Sequence, residues 1–445
     1  MHTQLIEKIK GRTACVGVIG LGYVGLPLCL EFGRQGFSVS GFDVDAGKVA
    51  ALNRGASYIG HIPSADVGAL VQAGRFRAQE DFSCLAGQDA ILICVPTPLT
   101  ETQDPDLRYV EQTAQQIAKF LQPGQLVVLE STTYPGTTEE LVLPILEQGG
   151  LRCPPDGQGQ GPQFMLAFSP ERVDPGNPQY PISEVPKVVG GINAASTAAA
   201  AALYGAIIRQ VVEVSSTRVA EMSKLLENIY RCVNIALVNE LKLLCLRMGI
   251  DVWEVIQAAS TKPFGFTPFY PGPGLGGHCI PIDPFYLAWK ARQIDFTTRF
   301  IQLAGEVNSA MPYHVVSAIG GALNTHRKAL NGSRLLLLGI AYKRDVDDLR
   351  ESPALKLIEL LLQSGAVVDY NDPHIPRLHR TRKYDFPLES VPLSPETLAG
   401  YDCVVIATDH SSYDYDAIVR DASLVVDTRN ATRSVRKSRE KIVRC

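Results

Sequence analysis

Missing from these 445 residues is any uninterrupted apolar run approaching the roughly 20 needed to cross a bilayer, so no membrane span is expected. The opening segment, Met1-His2-Thr3-Gln4-Leu5-Ile6-Glu7-Lys8-Ile9-Lys10, lacks the apolar core of a secretory signal. Ten cysteines are scattered with no C-x-x-C pair and no even spacing. Neither a zinc ligand set nor a disulfide framework is therefore expected, and the reading is a reduced, cytoplasmic protein without a metal. Charge of one sign is scarce too: 42 Lys and Arg face 46 Asp and Glu, a net charge of −4. The dense basic stretch, Arg433 to Arg444, reads as a solvated end, and a nucleic-acid partner is not expected. With 46% hydrophobic and 20% charged residues the composition is that of a globular protein, too long for one core.

What is present falls into three modules. The first begins with a β-rich run, Ala14 to Ile19, that breaks into Gly20-Leu21-Gly22-Tyr23-Val24-Gly25 and continues as a helix from Leu26 to Gln35. A second strand, Phe37 to Phe42, ends at Asp43, and further strands follow at Ala90–Val95 and Leu126–Glu130. Alternating strand and helix predicts a parallel sheet covered on both faces. The second module is helical: Thr217 to Met248 contains neither Gly nor Pro and predicts a helix about 48 Å long, the kind that bridges domains or builds a dimer interface. The third returns to α/β, with strands at Arg334–Gly339, Ala366–Tyr370, Asp402–Ala407 and Leu424–Asp427 and a helix from about Ser352 to Ser364. The expected fold is α/β, two Rossmann-like doubly wound domains joined by a long central helix and a helical dimerisation domain. The boundaries are 1–212, 213–315 and 316–445.

Chemistry concentrates in a few places. Gly20, Gly22 and Gly25 follow a strand and open a helix, the context in which glycines admit a pyrophosphate and the helix N-terminus meets it. Asp43, after the next strand, is placed to accept the adenosine-ribose hydroxyls and to repel a 2′-phosphate, which favours NAD over NADP. Lys48, five residues on, is either a cofactor contact or solvated. Cys279 lies in a glycine bed, Pro273-Gly274-Leu275-Gly276-Gly277-His278-Cys279-Ile280-Pro281-Ile282-Asp283. A thiol attacks as thiolate and needs a helix N-terminus or a cation nearby; a redox cofactor with a nucleophilic cysteine implies oxidation beyond the aldehyde. His278 is not expected to be its base, because adjacent residues on an extended chain point opposite ways. Lys224 and Asn228, one turn apart on the long helix, form a cation and amide pair suited to an oxyanion. Glu171 and Asp283 are candidates for activating water.

Together these motifs closely resemble the nucleotide-sugar 6-dehydrogenase family. The resemblance runs in order through Gly20 to Pro27, Val95-Pro96-Thr97-Pro98, Glu130-Ser131-Thr132, Ser169-Pro170-Glu171-Arg172 and Glu221-Met222-Ser223-Lys224 with Asn228. It continues through the Cys279 loop, Tyr342-Lys343-Arg344-Asp345 with Asp348 and Arg350, and Asp427-Thr428-Arg429. It implies a four-electron oxidation of a UDP-sugar C6 alcohol by two NAD⁺, through a Cys279 thiohemiacetal and thioester. It further implies Lys224 and Asn228 at the oxyanion, and Asp283, Glu171 and Thr132 ordering water and proton transfers. Gly20, Gly22, Tyr23, Val24, Gly25, Asp43, Lys48, Pro96, Thr97, Thr132 and Arg350 would hold the cofactor. Glu171, Arg172, Val173, Lys224, Asn228, Phe269, Tyr270, Gly272, Gly276, Lys343 and Arg429 would hold the UDP-sugar. The long helix would be the core of a homodimer or higher homo-oligomer.

The active loop departs from the glucose enzymes: His278 precedes Cys279, and Ile282 stands where they carry Lys. The stretch from Lys262 to Gly274 is longer and more aromatic than theirs and resembles the branch that oxidises UDP-N-acetylglucosamine and related 2-acetamido sugars for surface polysaccharides. An apolar wall and a neutral Ile282 suit an acetamido methyl. UDP-glucose and UDP-N-acetylmannosamine are the alternative substrates. A two-electron hydroxyacid-type dehydrogenase and a non-catalytic NAD-sensing scaffold are the alternatives of other classes.

Overall fold

The computed structural model describes residues 2–60, 62–100, 102–157, 161–172, 181–277, 279–381 and 383–445. The chain forms two compact units, Met1–Glu227 with Phe285–Phe296, and Asn228–Pro284 with Thr297–Cys445.

The first unit is built on eight strands: β1 (Cys15–Ile19), β2 (Ser38–Phe42), β3 (Phe76–Gln79), β4 (Ala90–Ile93), β5 (Leu126–Leu129), β6 (Met165–Phe168), β7 (Lys187–Gly191) and β8 (Val211–Glu213). Their order is 3-2-1-4-5-6-7-8, and every neighbouring pair is parallel except β6 with β7. Strands β4, β5 and β6 are buried at every residue, as covering both faces of a parallel sheet requires. The order in which strands are added reverses between β1 and β4, and in such sheets ligands bind beyond the carboxyl ends of the strands at this switch point. The glycine-rich turn after β1 and the segment Cys94–Thr97 after β4 both lie there.

The second unit contains five parallel strands: β9 (Arg334–Leu338), β10 (Val367–Asn371), β11 (Cys403–Ile406), β12 (Val425–Asp427) and β13 (Ile442–Arg444), in the order 10-9-11-12-13. Its switch point falls between β9 and β11. Gly339 after β9 has φ +76°, and a Cβ there would lie 2.4 Å from the Thr408 carbonyl after β11. The two loops that start at these residues therefore emerge side by side. The two sheets, the long helix and its uninterrupted length agree with the fold expected from the sequence. Cys29, Cys94 and Cys403 are buried as expected, whereas Cys15 is half-buried. Among the described residues no helix is long and apolar enough to cross a membrane.

Four helices matter for the site: α1 (Gly25–Arg34), α2 (Thr217–Met248), α3 (Asp283–Arg292) and α4 (Pro353–Gln363). Helix α2 inverts the usual amphipathic pattern. Thr217, Glu221, Lys224, Asn228, Asn239 and Lys242 are all buried, none more than 8% exposed. At 3.6 residues per turn they share an arc of about 60°. On the opposite side Leu226, Leu237, Leu244 and Met248 are each at least 50% exposed, continuous with Met222, Tyr230 and Leu241. Helix α2 thus turns polar groups inward and leaves an apolar surface exposed on the other side.

Candidate active site

In the first unit the three fingerprint glycines serve different purposes. Gly20 has φ +92°, and a Cβ there would strike the Cys94 carbonyl oxygen at 2.5 Å; at Gly25 it would lie 1.9 Å from the Gly20 oxygen. These two close the turn against β4 and α1. Gly22 has nothing within 4 Å of its Cβ position, so its backbone borders open space. Val24 gives α1 no side-chain cap; the Leu26 N–H already bonds the Gly22 carbonyl at 3.1 Å and Pro27 has no N–H, so the Gly25 N–H is the one at the helix start left for a phosphate. Asp43 is buried at the end of β2; its carboxylate accepts from the Leu21 N–H at 3.0 Å and the Asp45 N–H at 3.0 Å. Each oxygen keeps a lone pair for a ribose hydroxyl, so turn and acid fit a dinucleotide. Lys48 Nζ stands 3.7 Å from Asp43 and half-exposed. Tyr23 and Val24 follow Gly22 and are half-buried, while Thr97 is buried and Pro96 exposed at the β4 end.

Asp43→Ala is expected to raise NADP use relative to NAD, since it removes the charge that repels a 2′-phosphate. The ratio of kcat/KM for the two cofactors checks this, and an unchanged ratio removes Asp43 from the ribose site.

Beyond β5, Glu130 is fully enclosed. Its carboxylate accepts from Lys187 Nζ at 2.6 Å and from the Tyr204 hydroxyl. Burial pushes its carboxyl above the usual range, against the pull of Lys187. Ser131 Oγ donates to the Val95 carbonyl at 2.7 Å, tying this segment to the end of β4 and presenting half-buried Thr132 beside it. Glu221 on α2 accepts from the N–H groups of Gly136 (2.5 Å) and Thr138 (2.9 Å) and from the Thr138 hydroxyl (2.7 Å). Burial still pushes its carboxyl up to about 7. One turn on, Lys224 occupies the same buried face. Glu171 and Arg172 follow β6; Arg172 bonds the Pro186 carbonyl at 2.6 Å and Glu227 at 2.7 Å. Val173 lies outside the described residues. Lys187, Tyr204 and the Glu221 cradle escaped the sequence reading because their partners are tens of residues away.

In the second unit the cysteine loop ends in a helix start. The Cys279 carbonyl accepts from the Asp283 N–H at 2.8 Å, and Asp283 opens α3. Cys279 thus stands just N-terminal to α3, where the helix dipole favours a thiolate. Asn228 Nδ2 donates to Asp283 Oδ2 at 2.5 Å, and both are buried. Helix α2, the cysteine loop and α3 therefore meet at this pair. His278 lies outside the described residues.

The glycine bed is explained by what it touches. A Cβ at Gly276 would come within 2.7 Å of the Tyr342 Cβ, and one at Gly277, φ +90°, within 2.9 Å of the same ring. The Gly277 N–H bonds the Arg350 carbonyl at 3.0 Å. These glycines press the loop onto the segment after β9, the one carrying Lys343. Arg350 forms a bidentate pair with Asp348, its Nη2 at 2.6 Å. A Cβ at Gly272 would lie 2.5 Å from Arg429 Nη1, and Arg429 Nε donates to Asp409 at 3.2 Å. Phe269 packs edge-on to Tyr230 at 5.5 Å, and Tyr270 stacks on Trp253 at 5.8 Å. Tyr270 remains 53% exposed, as does Phe264 at 71%, so much of the aromatic stretch faces outward. Ile282 is buried.

Asp345, His374 and His410 bring three possible ligand atoms within 4.8 Å of one another. His410 is nevertheless already complete: Nδ1 accepts the Asp345 N–H at 3.0 Å, which leaves Nε2 to donate to Asp372 at 3.1 Å. Burial pushes Asp372 up, but His410 and backbone N–H groups outweigh it and hold the carboxyl below its usual range. This network joins the loops after β9 and β11.

A dinucleotide fingerprint in one unit and a second switch-point crevice beside a helix-terminal cysteine in the other define a nucleotide-dependent dehydrogenase. Three family models cover most of the chain: the NAD binding domain of the UDP-glucose/GDP-mannose dehydrogenase family over 14–208, its central domain over 218–310 and its UDP binding domain over 336–434. The chain belongs to this family and is an NAD-dependent nucleotide-sugar dehydrogenase. It is similar to UDP-N-acetyl-D-glucosamine 6-dehydrogenase of Pseudomonas aeruginosa, at 36% identity over 89% of this chain and 91% of that protein. It is also similar to UDP-N-acetyl-D-mannosamine dehydrogenase of Escherichia coli K12, at 36% identity over 90% and 94%. The structure of the UDP-D-ManNAc dehydrogenase from Pyrococcus horikoshii matches with TM-score 0.84 and 31% identity, covering 97% of this chain and 98% of that one.

Proposed function

We propose that this enzyme oxidises the C6 hydroxyl of a UDP-2-acetamido sugar, UDP-N-acetylglucosamine first among them, to the uronic acid for surface polysaccharide synthesis. The observation that carries the reading is Cys279 at the N-terminus of α3, beside the buried Asn228–Asp283 pair. A thiol there has no use in a two-electron oxidation. NAD⁺, held at the Gly20-Gly22-Gly25 turn and Asp43, would supply the hydride acceptor for each of two oxidation steps. Between them the Cys279 thiolate adds to the C6 aldehyde. Loss of the second hydride leaves a Cys279 thioester, and water cleaves it to the acid and free thiol. Lys224 and Asn228 stabilise the oxyanions by charge and amide N–H. Asp283, Glu171 and Thr132 order the water and carry protons. Gly20, Gly22, Tyr23, Val24, Gly25, Asp43, Lys48, Pro96, Thr97 and Arg350 serve the cofactor. Arg172, Val173, Phe269, Tyr270, Gly272, Gly276, Lys343 and Arg429 serve the UDP-sugar.

UDP-N-acetylmannosamine is the second reading, supported by the Escherichia coli relative at the same identity as the Pseudomonas one. NADH release with a panel of UDP-sugars tests both. A ratio near two NADH per UDP-N-acetylglucosamine supports the proposal; a ratio near one supports a two-electron enzyme; turnover of the mannosamine sugar alone selects the second reading. The three modules 1–212, 213–315 and 316–445 would divide these tasks between cofactor, dimerisation and UDP. The exposed leucine face of α2 is assigned to a second copy of the chain. Light scattering should give at least twice 48.3 kDa, and a monomer would refute that assignment.

A further inference from the structure

Lys242 is a buried cation of α2 that the reaction scheme leaves unused. It is 2% exposed, and its ammonium has no hydrogen-bond partner among the described residues. Asn239, one turn earlier on the same face, accepts the Gly272 N–H at 3.0 Å, and the Arg429 guanidinium lies against Gly272. Lys242 is thus held close to a second cation; burial pushes the ammonium below its usual range and the Arg429 charge adds to this, against the pull of Cys445 and Asp427.

The neighbouring acids are already engaged. Asp427 accepts the N–H groups of Arg429 (3.0 Å), Ala431 (3.1 Å) and Thr432 (2.8 Å) and the Thr432 hydroxyl at 2.6 Å. Asp409 is shared between Arg344 and Arg429. Cys445 is close as well, but burial pushes its thiol up and keeps it neutral. A buried cation without a partner is costly unless an anion comes to it.

We propose that Lys242 and Arg429 form an anion-binding pair that takes the diphosphate of the UDP-sugar. The diphosphate is the anionic part of that ligand, and the choice rests on the UDP-sugar reading above. Lys242 is then a binding residue beyond Lys343 and Arg429.

Calorimetry with UDP, uridine and inorganic pyrophosphate on the full-length protein tests this. Lys242→Met should weaken UDP and pyrophosphate roughly 10- to 100-fold, the loss of one charge-assisted hydrogen bond, and change uridine less than about twofold. Lys242→Arg should recover most of the loss. Without ligand, Lys242→Met should melt no lower than wild type, because it removes an uncompensated buried charge. Equal losses for uridine and UDP, unchanged UDP affinity, or a lower melting temperature without ligand would each overturn the assignment. If wild type binds pyrophosphate but not UDP, the nucleotide reading fails while the anion pair stands. If wild type binds UDP and Lys242→Met binds it equally, the reverse holds.

Discussion

Cys279→Ser is expected to lower uronate formation on the order of 10³-fold or more, the scale at which enzymes lose rate when a covalent nucleophile is removed. The cause is chemical. A serine hydroxyl in the same place remains protonated near neutrality, and the N-terminus of α3 cannot bring its pKa into range as it can for a thiol. UDP and NAD affinities should hold, because Cys279 itself is charged with neither task. The measurement is uronate and NADH quantified together, with mass spectrometry of the Cys279 peptide from wild type quenched during turnover. An adduct on that peptide and its loss in the variant are the expected result. Undiminished acid release by the variant would end the proposed mechanism, whatever the substrate.

Lys187→Met is expected to destabilise the first unit by roughly 3–5 kcal/mol, because it leaves the Glu130 carboxylate enclosed without its cation. The Lys187–Glu130 contact is 2.6 Å and both side chains are essentially inaccessible, 5% and 0% exposed. Adding Glu130→Gln to Lys187→Met should restore much of the loss, since an amide needs no counter-charge and still accepts from Tyr204. Urea unfolding of the single and double variants decides it. A single variant within 1 kcal/mol of wild type would show that the pair carries little of the fold. The functional consequence is local: Glu130 precedes Ser131 and Thr132, so loosening it releases the segment tied to the end of β4. In that event NAD affinity should fall along with stability, while the isolated chemistry of the cysteine loop is untouched.

Much of this site was legible because its signals are local. The turn after β1 needs glycine where φ is +92° or where another backbone lies within 2 Å of a Cβ, and those demands leave a mark at fixed spacing. Helix α2 was read from Thr217 to Met248, as it stands, because nothing in that stretch interrupts a helix. The glycines before Cys279 announced a close approach, but the residue approached, Tyr342, lies some way along the chain. Glu130 was legible only as part of a motif. That its charge is balanced by Lys187, 57 residues away, and capped by Tyr204, 74 away, was not.

The amino-acid order thus determined the two nucleotide-type sheets, the dinucleotide turn with Asp43, the long helix and the cysteine proposed as the nucleophile. Each depends on backbone geometry or periodicity within a few turns of chain. Tertiary structure alone decided which face of α2 is interior, and so turned its leucines outward and left Lys242 enclosed near Arg429, with no hydrogen-bond partner among the described residues. Burial and charge balance depend on groups brought together from distant segments, and no local pattern records which carboxylates those segments have already satisfied.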